Sequence, residues 1–378
     1  MLRKTSLLNP ELIFPKATQA PVKTPERPRL LFVSTNGSGL GHLTRLWAVE
    51  KECYGFETLT YSMSSAYYRL GKPRNEIIYF PSHADLGIHP RVWSLLLEGH
   101  LGKVLLNYKP SAIVFDGTYV YRGLQHAARR HSVPIIWMRR GCWKDAVRER
   151  SKQWANPTRY VDAVISPSDY GCHERPSESS GAGRVVPPIV NVNGDSLRER
   201  IEIRQKYNLP IDRNLLLVQL GGGVINDVSG LLEAVLGAIS THSESWEPVV
   251  VRNPLARDGR LDRYRSISAY PLTELFPAFD AGVFAAGYNS VQESIYFGLP
   301  SLFLPNTNAV TDDQQRRAET LESDGLGYKA GSSEEIQASM DRLVRPENLL
   351  EIRSNMEIVQ KPSGAREAAG FIREFLTA

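Results

Sequence analysis

Twice along this chain of 378 residues a series of short apolar runs alternates with helical stretches, a pattern that admits few folds. The first series is Leu30–Thr35, Glu57–Ser62, Ile77–Phe80, Ala112–Phe115, Ile135–Met138 and Ala163–Ser166. The second is Leu215–Leu220, Val249–Arg252, Tyr264–Ser268, Ala281–Ala285 and Ser301–Leu304. Apolar runs separated by helices are the mark of parallel sheets covered on both faces. The expected fold is therefore α/β, with two doubly wound, Rossmann-like domains facing a cleft. The length also suits two cores rather than one. Between Gly181 and Gly194 two prolines and several glycines interrupt the pattern. The expected divisions are a mobile leader over 1–27, an amino-terminal domain over 28–185, a linker over 186–198 and a carboxyl-terminal domain over 199–378. The last helix is one that can cross back to the first domain. Ligands are expected in the cleft, at the carboxyl ends of the strands.

Composition narrows the function classes. The apolar fraction of 42% and charged fraction of 23% are those of a globular protein. No run is long enough to span a bilayer and the first residues lack a signal-peptide core. A cytoplasmic location is expected, with peripheral contact at the cytoplasmic membrane face left open. Cys53, Cys142 and Cys172 are scattered without metal-ligand spacing, and the chain has no Asp-x-Asp pair to hold a divalent ion. Chemistry without metal or cofactor is expected. Residues 1–185 carry 26 lysines and arginines against 15 acidic residues, a net of +11, which leaves −7 for residues 186–378. The basic half should face a phospholipid surface, a polyprenyl-phosphate-linked acceptor or an acidic glycan. Nucleic acid is not expected, because no recognition motif or dense basic run occurs.

Candidate chemistry gathers at strand-to-helix junctions. Ala281–Ala285 runs through Ala286 and Gly287 into a helical stretch from Ser290 to Phe297, leaving backbone N–H groups to meet an anion such as a diphosphate. Glu293, one turn in, can accept both hydroxyl protons of a ribose. The alternative is an ordinary cap, with Asn289 or Ser290 as N-cap and Glu293 completing it. Leu215–Leu220 opens into Gly221, Gly222 and Gly223, with Asn226 and Asp227 behind, where the backbone can approach a ligand closely. In the first half, Leu30–Thr35 leads through Asn36-Gly37-Ser38-Gly39-Leu40-Gly41 to His42. A dinucleotide fingerprint would have glycine at position 42 and an acid near Tyr61, and neither is present. His42 is a candidate general base, or a hydrogen-bonded loop residue without chemistry. Asp116 ends the fourth run and faces the same cleft, as an orienting partner for His42 or as a turn residue before Gly117. His83, Asp85, His89, Tyr119, Tyr121, Arg139 and Arg140 follow other runs and are acceptor-side candidates. The stretch from Val92 to Tyr108 is apolar enough to touch a membrane, but a buried helix is expected.

Ala286-Gly287 through Glu293, then Gly298-Leu299-Pro300, Leu304-Pro305 and Asp313-Gln314-Gln315, resemble in order and spacing the donor region of the GT-B glycosyltransferases. The most similar branch is that of the peptidoglycan N-acetylglucosaminyltransferase. The resemblance implies a transferase moving a hexose or N-acetylhexosamine from a UDP-sugar co-substrate to a hydroxyl acceptor, with inversion, in cell-envelope polysaccharide synthesis. It implies that Ala269, Tyr270 and Leu272 lie at the uracil and that Glu293 binds the ribose. Gly287, Asn289, Ser290 and the Gly222–Gly223 loop would bind the diphosphate, and Asp313, Gln314 and Gln315 the sugar hydroxyls. Gly39 and Gly41 would lie on the acceptor side with Tyr119 and Arg140. The pair His42 and Asp116 resembles that of plant-type members. Ser38 and Leu40 replace glycines of the peptidoglycan enzyme, and Asn191 stands where that family has a phosphate-binding arginine, leaving Arg45 or Arg252 as substitutes. Gly39-Leu40-Gly41-His42 with Arg45 also resembles UDP-sugar hydrolases, and a non-catalytic sugar-nucleotide-binding protein is the third reading.

Overall fold

The computed structural model describes residues 27–35, 40–67, 76–172, 183–191, 199–221, 229–252, 264–359 and 364–378. The expected leader, apart from Arg27, lies outside them, as do Gly39, Gly222, Gly223, Asn226 and Asp227.

Seven parallel strands form the first sheet: β1 (Arg29–Ser34), β2 (Glu57–Ser62), β3 (Ile77–Tyr79), β4 (Ala112–Asp116), β5 (Ile135–Met138), β6 (Ala163–Pro167) and β7 (Gly183–Val186). They lie in the order β3-β2-β1-β4-β5-β6-β7. The helices between them are α1 (Gly41–Glu52), α2 (Pro90–Tyr108), α3 (Arg122–Arg130), α4 (Asp145–Arg150) and α5 (Lys152–Ala155). In β1 the side chains alternate between faces. Leu31 and Val33 join Leu97 and Leu101 of α2 in one core, and Leu30 and Phe32 join Leu46 and Val49 of α1 in another. Each such side chain contributes about 1.5–3 kcal/mol on burial.

The second sheet is also parallel, in the order β10-β9-β8-β11-β12-β13. Its strands are β8 (Asn214–Gln219), β9 (Trp246–Val251), β10 (Ser266–Ile267), β11 (Ala281–Ala285), β12 (Ser301–Leu304) and β13 (Tyr328–Lys329). Its helices are α6 (Arg200–Lys206), α7 (Ser229–Ser240), α8 (Tyr288–Phe297), α9 (Gln314–Ser323), α10 (Ser333–Leu343) and α11 (Pro346–Ile358). The last helix, α12 (Gly364–Thr377), packs on α1 and β7, where Ala368, Ala369, Phe371 and Ile372 complete the core containing Leu30 and Phe32. A Cβ at Gly364 would come 2.0 Å from the Pro187 carbonyl oxygen, so this approach requires glycine.

The strand order reverses between β1 and β4 in one sheet and between β8 and β11 in the other. Connections leave these pairs toward opposite faces, which opens a crevice at the carboxyl ends. The turns after β1, β4, β8 and β11 carry Gly41-His42, Asp116-Gly117, Gly221 and Gly287.

The structure departs from the sequence expectations in three places. A strand, β7, stands directly before the expected linker, and its first three residues are exposed at the sheet edge and give no apolar signal. β13 has two half-buried residues and was likewise not anticipated. The helix covering Val92–Tyr108 is not wholly buried: Trp93, Leu97, Leu101, Val104 and Leu105 face the core, while Val92, Leu95, Leu96 and Leu106 are exposed. No helix among the described residues is long and apolar enough to cross a membrane.

Candidate active site

His42 occupies the first turn of α1, just beyond β1, and Asp116 is the last residue of β4. β1 and β4 are neighbours with Ser34 opposite Asp116, which brings imidazole and carboxylate together. His42 Nδ1 lies 2.7 Å from Asp116 Oδ1. Arg45, one turn further along α1, donates from Nε to Asp116 Oδ2 at 2.8 Å and from Nη2 to Oδ1 at 2.5 Å. Asp116 has no exposed side-chain surface, Arg45 only 2%, and His42 retains 22%. Burial is the largest influence on Asp116 and would raise its carboxyl, but the Arg45 charge and the bonds from His42 and Arg45 hold it below its ordinary value. Burial lowers His42, Asp116 opposes the shift, and Arg45 and Arg140 add to it, so the ring is neutral at pH 7. A neutral ring against an ionised carboxylate carries its proton on Nδ1, and Nε2 keeps a lone pair.

Across the cleft, α8 begins with Gly287 as N-cap and no side-chain cap. Neither Asn289 nor Ser290 caps it, so the ordinary-cap alternative is overturned. The Asn289 side-chain amide instead donates to the Gly41 carbonyl at 3.0 Å, joining the donor-side helix to the loop before His42. The first intrahelical bond runs from Val291 N to Gly287 O, which leaves the preceding N–H groups without an intrahelical acceptor, as at any uncapped helix start. Glu293 makes no hydrogen bond or ion pair among the described residues, and burial pushes its carboxyl up to about 8. A desolvated carboxyl group with no hydrogen-bond partner among the described residues has its bonding capacity open to a ligand. Ala269 and Leu272 pack half-buried against the core of the second domain. Tyr270 stacks one face on Trp47 of α1 at 6.4 Å between centroids, and its hydroxyl meets Thr44 Oγ1 at 2.9 Å.

The residues expected at the sugar also make bonds within the protein. Asp313 is the N-cap of α9 and accepts from Arg316 N at 3.1 Å. Gln314 accepts from Asn306 N at 3.0 Å and donates to Asp312 at 3.3 Å, so both ends of its amide are used within the protein. Gln315 donates to Glu319 at 2.5 Å along the helix surface. Asp313 and Gln314 thus also hold the chain before α9, while Asp313 keeps further acceptor capacity and Gln314 and Gln315 each keep one amide N–H.

This same region is sewn to the first domain. Asp313 N donates to Cys142 O and Lys144 N to Thr311 O, each at 2.9 Å, and Arg316 pairs with Asp145. Arg317 has no exposed surface. It bonds Asp169 at 2.6 and 2.7 Å and Asp312 at 2.8 Å. Arg140 approaches Asp312 at 3.6 Å. On the acceptor side Tyr119 is exposed, edge-on to Trp143 at 5.1 Å. Arg139 is buried with its guanidinium 4.1 Å above the Trp154 ring. The remaining acceptor candidates serve local structure. Asp85 accepts from Ser82, His89 caps α2, His83 abuts Trp93, and Tyr121 packs on Trp93 and Phe115.

No family model matches the chain. It is 24% identical over 302 residues to the UDP-N-acetylglucosamine–N-acetylmuramyl-(pentapeptide) pyrophosphoryl-undecaprenol N-acetylglucosamine transferase of Symbiobacterium thermophilum, covering 72% of this chain and 73% of that one. Five curated relatives carry that same name. Among solved structures, Acinetobacter baumannii MurG matches with a TM-score of 0.61 at 15% identity, over 92% of this chain and 99% of that chain. The UDP-GlcNAc 2-epimerase of Neisseria meningitidis matches with 0.68 at 15% identity, over 92% and 99%. The structural likenesses establish the two-domain fold, and the sequence relatives select the transferases within it. The chain is a glycosyltransferase of GT-B architecture. It resembles the peptidoglycan branch.

The glycosyltransferase departs from that branch at Asn191. This side chain is buried, accepts from Lys51 Nζ at 2.9 Å and leaves its Nδ2 without a partner. Arg45, one of the two substitutes considered for that arginine, has its Nε and Nη2 committed to Asp116. Sequence reasoning also missed Tyr288. The glycosyltransferase places this buried ring 5.0 Å beneath the Arg45 guanidinium, and its hydroxyl accepts from Ile189 N at 2.9 Å. Its place at the start of α8, beside residues that were singled out, was the only signal.

Proposed function

We propose that the enzyme transfers a hexose or N-acetylhexosamine, with inversion and without a metal, from a UDP-sugar to a hydroxyl of a polyprenyl-diphosphate-linked acceptor. The observation that carries this reading is the junction of the His42–Asp116 pair with the uncapped start of α8 through the Asn289–Gly41 bond. His42 Nε2 takes the acceptor hydroxyl proton as that oxygen attacks the anomeric carbon from the face opposite the diphosphate. The new C–O bond forms as the bond to the UDP oxygen breaks, and Asp116 steadies the imidazolium. The leaving diphosphate gathers charge at the N–H groups of Tyr288, Asn289 and Ser290, where the helix dipole favours an anion. Glu293 accepts from the ribose hydroxyls. The exposed Val92, Leu95, Leu96 and Leu106 on α2, with Arg91 and Lys103 on the same helix, support peripheral contact with an anionic membrane surface, where such an acceptor resides.

The test incubates purified protein with UDP-N-acetylglucosamine and a short-chain polyprenyl-diphosphate-linked muramoyl acceptor. The expected result is acceptor-dependent UDP release, a β-linked product, no loss with EDTA, and a fall of about 10²–10⁴ in rate for His42→Ala. Equal UDP release with and without acceptor makes the protein a hydrolase. Tight UDP binding with no turnover makes it a binding protein.

A further inference from the structure

Arg45 has no part in the bond-making steps above, yet the Nε and Nη2 edge of its guanidinium is engaged beside the base. It follows His42 by three residues on α1, grips both oxygens of Asp116, and has Nη2 at 3.3 Å from His42 Nδ1. Its flat face lies on the Tyr288 ring, the first residue of α8. We propose that Arg45 is the positioning residue of the base: by holding Asp116 as a fixed, ionised acceptor it places the His42 proton on Nδ1, leaves Nε2 bare, and through Tyr288 ties that setting to the donor-side helix. This rests on the transferase reading only for the role of Nε2.

The argument is one of proton counting. A carboxylate oxygen 2.7 Å from an imidazole nitrogen needs one proton between them. If Asp116 is ionised it can only accept, so the proton belongs to Nδ1. If Asp116 were protonated it could donate to Nδ1, and the ring would carry its proton on Nε2, where it cannot act as a base. A carboxyl group with no exposed surface takes up a proton unless a cation stands against it. Arginine cannot lose its charge, and its planar fork spans both oxygens; a lysine ammonium is a single point charge. The groups facing His42 are Asp116 from β4, Arg45 from α1 and Arg140 from the segment after β5. Tyr288 from α8 and Asp169 from the segment after β6 face Arg45 in turn. Among them Arg45 alone touches both members of the pair.

The experiment is ¹⁵N NMR of histidine-labelled full-length protein, titrated for wild type, Arg45→Gln and Arg45→Lys, with His42 assigned through His42→Gln. Wild type should show the Nδ1–H tautomer. In Arg45→Gln the His42 titration should move up by about one pH unit or more, and the acid limb of kcat/KM should move with it. Arg45→Lys should recover part of the titration shift but give a mixture of tautomers. An Arg45→Gln protein with the wild-type His42 titration and tautomer overturns the proposal. Should Arg45→Gln fail to fold, an unaltered tautomer ratio in Arg45→Lys overturns it equally. The NMR titration requires no substrate. The expected shifts in a protein that transfers no sugar would sink the transferase reading and leave the positioning role standing.

Discussion

Glu293 concentrates the conflict between stability and binding at a single residue. Burial holds its carboxyl at about 8, far above the ordinary carboxylate range, and no described residue offers it a hydrogen. The folded chain therefore keeps this proton over a range where the unfolded chain has released it, so stability falls as pH rises from about 4.5 to about 8. Glu293→Gln should abolish that slope, raising Tm more at pH 9 than at pH 5 in paired thermal melts. The same variant should weaken UDP by about 1–3 kcal/mol. In the wild type, UDP affinity by calorimetry should rise between pH 6.5 and 9 as the carboxylate ionises, and that rise should vanish in the variant above pH 7.5. Glu293 was legible in the sequence because its distance from the glycine junction fixes it one turn into a helix. Asp313 and Gln314 carry local duties that the sequence did not announce. An aspartate directly before a helix is first of all an N-cap, here for the N–H of Arg316.

At the level of the element, α8 starts with a glycine where an aspartate or serine would cap it better. Gly287 has φ −72° and ψ 155°, a conformation any residue adopts at an N-cap, and a Cβ there would meet nothing within 4 Å. Nothing in the apo fold thus forbids a side-chain cap. Gly287→Asp should stabilise the protein slightly, by about a few tenths of a kcal/mol, while weakening UDP at least about tenfold, because the new carboxylate takes the place and sign of a phosphate. A stabilised variant with unchanged UDP affinity would mean that no diphosphate docks at this helix. Most elements could be read from the chain, since buried parallel strands such as β1, β4 and β11 are continuous apolar runs between helices. β7 and β13 could not, because edge strands with exposed or half-buried residues lack that pattern. The apolar face of α2 was visible as hydrophobicity, but its direction was not. Spacing shows that a helix has two faces and not which one the fold covers.

For the whole molecule, the decisive contacts join distant parts of the chain and no local pattern announces them. The two domains meet at a seam where the residues after β5 pair with those before α9, and where Arg317 sits fully buried between Asp169 of one domain and Asp312 of its own. Burial alone would raise the Asp312 carboxyl, but Arg140 and Arg317 hold it well below its ordinary value. Its contribution is therefore present above the unfolded carboxylate range and lost as pH falls below it. Arg317→Met should cost about 3–5 kcal/mol, because it strands two buried carboxylates. Adding Asp169→Asn should recover part of that loss in urea titrations, and a purely additive double variant would contradict the pairing. The crossing of α12 has a different consequence, which concerns synthesis. Leu30, Phe32 and Val49 are made near the beginning of the chain, but Ala368, Ala369, Phe371 and Ile372, which share their core, are made more than three hundred residues later. The core on one face of the first sheet, begun by α1, therefore stays incomplete on the ribosome until the second domain has been translated, and the half made first is the half completed last.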